Sequence, residues 1–158
     1  MNVHRPILIG LGLLIALGCS GTTLERGGPR SVDPVVEMLH QGILELNGNI
    51  DELNRHIAEL QQIPPVSDPR VQELRALDLS GWQLHLQQWM LQREHLIFSA
   101  NQIQRVRADP REKPAIRTQW TSRQQQFVNA LDDLRAQRQM LERKRLEVEL
   151  QVLGQYFK

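Results

Sequence analysis

The chain has 158 residues, room for one domain or for a small domain behind a tether, and its single cysteine rules out an internal disulfide framework. A formal net charge of +1 gives no general attraction to nucleic acid or to an anionic membrane surface. Aromatic residues make up 4% of the chain while Leu, Gln, Arg and Glu are frequent, a mixture that favours long helices over a sheet.

Residues 1–18 read as a signal peptide. Arg5 and His4 give a short basic start, residues 7–18 form an apolar run of twelve, and small residues close it. Twelve is well short of the ~20 residues needed to span a bilayer, but it suits a signal-peptide core. The run ends in "ALGC", Ala16-Leu17-Gly18-Cys19. This resembles the lipobox of bacterial lipoproteins, usually Leu, then Ala or Ser, then Gly or Ala, then Cys. Gly18 and Cys19 match, whereas Ala16 stands where Leu is preferred and Leu17 where a small residue is commoner. The resemblance implies cleavage before Cys19, diacylglycerol on its sulfur and acylation of the new amino terminus. These covalent lipids are the only added groups expected; no separate cofactor and no metal is. Ser20 in place of Asp implies sorting to the outer membrane, on its periplasmic face. Three acyl chains, at ~0.8 kcal/mol per buried methylene, hold a protein on a membrane almost permanently.

Residues 19–31, "CSGTTLERGGPRS", contain three glycines and a proline and read as a flexible tether that reaches at most ~45 Å. The body follows over 32–158. The dipeptide Asp-Pro recurs at Asp33-Pro34, Asp68-Pro69 and Asp109-Pro110. Asp accepts hydrogen bonds from free N–H groups at a helix start, and Pro suits the first helical position. Three such starts predict three helices, at about 32–63, 68–108 and 110–158, the last well under way only after Pro114. The expected fold is all-α: an elongated antiparallel three-helix bundle or coiled coil.

In the first helix Val36, Leu39, Ile43, Leu46, Ile50, Leu53, Ile57 and Leu60 alternate in steps of three and four. With β-branched residues at every a position and Leu at every d, this seam suits a parallel two-stranded coil, or equally a single-chain bundle with short loops. The second helix carries two apolar rows, Trp82, Trp89, Leu96, Ile103 and Leu77, Leu84, Leu91, Phe98, roughly 160° apart at 100° per residue. A helix apolar on two sides needs cover on two sides, so it is the expected middle element. Residues 32–63 balance at −5 and residues 110–158 at +4, which predicts that the first and third helices lie side by side.

The tail "RLEVELQVLGQYFK" alternates Leu146, Val148, Leu150 and Val152 with polar residues, as on a strand. The strong helix formers before it favour a continuing helix. Leu146, Leu150, Leu153 and Phe157 then share one stripe, with Val148 and Val152 on another side. Because the first helix is the shortest, some apolar surface on the second and third should overhang. That stripe is the expected interface for a second copy or another envelope protein.

No catalytic constellation stands out. His40, His56, His85 and His95 are scattered without a metal-binding spacing, no Gly-rich phosphate loop is present, and no serine sits in an elbow motif. Trp82 and Trp89 at helical spacing among leucines read as core, and Arg93 in the same row as structural. The chain is therefore expected not to be an enzyme and to take no nucleic acid or small-molecule substrate. It is expected to be a lipid-anchored adaptor, as a pilotin or an accessory subunit is. Two alternatives stand beside this. Cys19-Ser20, the Ile/Leu heptads and the final Lys158 are similar in outline to the murein lipoproteins, which implies a peptidoglycan link at that lysine. A periplasmic holdase is the other.

Overall fold

A computed structural model describes residues 33–156. They form three long α-helices, α1 (Pro34–Gln62), α2 (Pro69–Ala108) and α3 (Lys113–Tyr156), with a single 3-10 turn at Pro110–Glu112 before α3. The fold is an all-α antiparallel three-helix bundle, with no strand among the described residues. The segment 145–153 is helix, not strand.

The Asp-Pro pairs set the starts of α1 and α2 and of the 3-10 turn, so the α-helix expected from residue 110 begins at Lys113 instead. The Asp33 carboxylate accepts from the Val35 N–H at 2.8 Å, Asp68 from Arg70 at 2.8 Å, and Asp109 from Arg111 at 3.0 Å, while the following proline gives up no helical hydrogen bond. Pro114 falls in the first turn of α3, where it is tolerated.

The eight residues of the α1 seam face α2. Val36, Leu46, Ile50, Leu53 and Ile57 are buried, and Leu39, Ile43 and Leu60 half-buried. A heptad seam suited to pairing two chains is thus closed within one chain by an antiparallel neighbour. The two rows of α2 serve two partners. Trp82 meets His56 on α1 but is 38% exposed, so it lies at the edge of that interface and not in the core as expected. Leu96 lies against Gly42 on α1, whereas Phe98 stacks on Trp120 and Leu91 lies beside Phe127, both on α3. Arg93 in the first row turns to α1, donating to Asn47 Oδ1 at 3.3 Å rather than to an acidic group.

The bundle is open. No Cα of α1 comes within 8 Å of one in α3, so the acidic and basic helices do not lie side by side as their charges predicted. The apolar rows decide the arrangement. Exposed ion pairs contribute at most ~1 kcal/mol each, and burying two rows of large side chains on α2 outweighs them. The basic residues of α3 find partners on α2 instead: Lys144 with Glu73 at 3.1 Å and Arg145 with Asp78 at 3.1 Å.

Candidate functional site

The described surface offers an apolar stripe rather than a cleft. On the last four turns of α3, Leu141, Val148 and Val152 turn toward α2, and Val148 is 4% exposed. Leu146, Leu150 and Leu153, at spacings of four and three, fall on the far side of that helix and are 58%, 69% and 53% exposed. The stripe is exposed by the rotation of α3, not by the expected overhang of unequal helices, since Val148 at the same level is covered. Phe157, the fourth member of the expected stripe, lies outside the described residues, as do Cys19, Ser20 and Lys158.

The end of the bundle that carries the stripe also carries the α1–α2 turn. There Ile63 and Val66 are 51% and 45% exposed. Arg75 fixes this turn by donating to the carbonyls of Ile63 at 2.6 Å, Pro64 at 2.7 Å and Leu60 at 3.2 Å, supplying the C-terminal cation that α1 lacks in its own last turn. Sequence reasoning missed Arg75, because nothing local to it signals a contact with a helix end at residues 60–64. The opposite end holds Asp33, which is 9% exposed, caps α1 and pairs with Arg107 at the end of α2. The leucine stripe and the start of α1 therefore stand ~60 Å apart along the bundle.

His56, His85 and His95 are half-buried and His40 is exposed. His95 stacks on Phe127 with centroids 4.1 Å apart and lies 5.7 Å from Trp120. His85 lies 4.4 Å from Trp89. Burial pushes both imidazoles below their ordinary value, and Arg123 beside His95 and Arg138 beside His85 push the same way. The Nδ1 atom of His95 is buried without a protein hydrogen-bond partner. The cavity beside it, lined by Leu91, His95, Arg123, Gln126, Phe127 and Ala130, holds about 200 Å³. That is below the ~300 Å³ at which small-molecule pockets begin. Among the described residues no three His, Cys, Asp or Glu side chains gather to hold a metal ion, and no helix is long and apolar enough to cross a membrane.

Compared with known proteins, the chain matches no family, no curated protein and no solved structure.

Proposed function

We propose that this protein is a lipid-anchored adaptor of the bacterial envelope, held by acyl groups on Cys19 and docking another envelope protein through the leucine stripe of α3. The observation that carries the reading is the exposure of Leu146, Leu150 and Leu153 as a continuous heptad-like stripe on a helix whose other face is already packed. Three leucines more than half exposed in one row are costly in water, and covering them releases ~25 cal/mol per Å². The stripe sits at the end of the bundle away from Asp33. A lipid anchor and a separate docking surface on one chain are what an adaptor needs, with the outer membrane as the expected site.

In-cell photo-crosslinking from Leu150, followed by mass spectrometry, tests the docking. The adaptor reading expects one recurrent envelope polypeptide joined at that position, and a probe at exposed Thr118, on the other half of α3, should not capture it. Equal and diffuse crosslinking from both positions argues against it. The peptidoglycan link through Lys158 has no specific observation to favour it here.

A further inference from the structure

Three arginines of α2 have strong acceptors within the chain. Arg105 meets Glu112 at 2.6 Å, Arg107 meets Asp33, and Arg75 takes three carbonyls at the end of α1. Arg93 has no such partner. It is half-buried, one of its terminal nitrogens donates to Asn47 Oδ1 at 3.3 Å, and its Nε is buried with no protein acceptor. No carboxylate among the described residues pairs with it. A guanidinium partly withdrawn from water, with one neutral amide as its acceptor, is a place short of negative charge.

One flank of Arg93 is core and the other is open. Trp89 and Leu96, four before and three after, belong to the row that faces α1. Met90 and Ile97, three before and four after, lie on the other flank and are 39% and 40% exposed. On α1, Leu44 stands one turn before Asn47 and is 61% exposed. Arg93 thus sits where the α1–α2 core meets an exposed apolar patch.

The rims of that patch are acidic. Glu37 and Asp51 lie seven residues to either side of Leu44, in its own row, and Glu94 lies between Met90 and Ile97 on the outward side. All three are exposed. Glu94 is engaged by Arg123 of α3 at 3.8 Å, whereas Glu37 and Asp51 have no ion-pair partner among the described residues.

We propose that this patch docks a segment of another protein that presents a single carboxylate among aliphatic side chains, with Lys or Arg on its flanks. The carboxylate takes the guanidinium of Arg93, the aliphatic groups cover Leu44, Met90 and Ile97, and the basic flanks face Glu37 and Asp51. The charge pattern chooses this occupant. A run of acids is repelled by the rims, and a wholly apolar segment seals Arg93 from water without giving it an anion. A second copy set centre to centre brings cation to cation. An arginine at the middle of an apolar patch, with polar groups around it, is the arrangement in which a few residues carry most of the binding. The patch lies on the α1–α2 side of the bundle and uses no residue of the leucine stripe, so it stands or falls separately from the docking proposed there.

The test uses the full-length chain in its own cells, with a photo-crosslinking residue in place of Asn101, which is exposed one turn after Ile97. A recurrent product is expected, whose captured peptide holds one Asp or Glu among aliphatic residues with Lys or Arg nearby. Arg93→Leu should lower that product at least tenfold, while the purified variant melts no earlier than the unaltered chain, because a half-buried charge without a carboxylate partner has been removed. Arg93→Glu should lose the product too, and changing the captured acid to Arg in the partner should restore it. A product that survives Arg93→Leu, a captured peptide without an acid, a product with a second copy, or no product overturns the proposal. Early melting of Arg93→Leu marks the guanidinium as satisfied within the chain and overturns it as well. Capture at Leu150 with none at Asn101 overturns this proposal alone and leaves the leucine stripe as the docking surface.

Discussion

The imidazole of His95 on α2 lies flat on the ring of Phe127 on α3, 4.1 Å between centroids and 12° from parallel. Its Nδ1 has no protein partner, and Arg123 is the cation on the facing helix, itself 3.8 Å from Glu94. Protonation would place a second positive charge near Arg123 in a half-buried site. Partial burial and the charge of Arg138 act against protonation of His85 in the same direction.

Both histidines therefore bind their proton less readily folded than unfolded. The sign follows by linkage: the unfolded chain takes up protons first, so stability is full above the ordinary value of 6.5 and falls as pH drops below it, levelling beneath the folded values. Chemical denaturation between pH 8 and pH 5 should show the midpoint falling over this window. His95→Leu should flatten part of that slope. A midpoint that rises on acidification would contradict the description of these sites.

The glycines of α1 are not equivalent. A Cβ on Gly42 would lie 3.1 Å from Leu96 Cδ1, whereas one on Gly48 would meet nothing within 4 Å. Gly48→Ala should stabilise the protein by ~1 kcal/mol through lower backbone entropy in the unfolded chain. Gly42→Ala should return less than that, or lose stability, because Leu96 must shift. Thermal melts of the two variants side by side decide it.

Arg75 joins α2 to three carbonyls at the end of α1. Arg75→Ala should cost ~1 kcal/mol and raise amide exchange in the last turn of α1 and the turn after it. Lysine keeps the charge but presents no planar fork, so Arg75→Lys should recover little of the protection.

The last turns of α3 separate packing from docking. Val148→Ala should destabilise the bundle by ~1–2 kcal/mol, since Val148 is buried against α2. Leu150→Ser, at a site 69% exposed, should leave the melting temperature nearly unchanged and abolish capture of the partner. If Leu150→Ser melts early and Val148→Ala does not, the assignment of the two faces is reversed.

Most of the fold was legible because its signals are local and redundant. The Asp-Pro pairs name the starts of α1, α2 and the turn that leads into α3 through a cap and a fixed φ, the α1 heptads name one buried face, and the two rows of α2 name a middle helix. The relation of α1 to α3 was not legible from charge. Net charges of helices act weakly and at long range, while apolar rows act at contact, and both outer helices follow the rows on α2. The tail shows the same limit. Val148 and Leu150 both look like core residues in sequence, and only the rotation of α3 on α2 decides which is covered. Arg75 and the stack of His95 on Phe127 depend on helix register, which no local pattern states. Of the expected functional residues, Leu146, Leu150 and Leu153 lie together on one exposed face, and Cys19, Ser20, Phe157 and Lys158 lie outside the described residues.

The adaptor reading rests on the chemistry of one sulfur atom, and the intact mass of the native polypeptide from detergent-extracted membranes addresses it directly. The account predicts a chain that begins at Cys19 and carries the added mass of a diacylglycerol and an amide-linked acyl group. A polypeptide with residues 1–18 still attached and an unmodified thiol at Cys19 would contradict it.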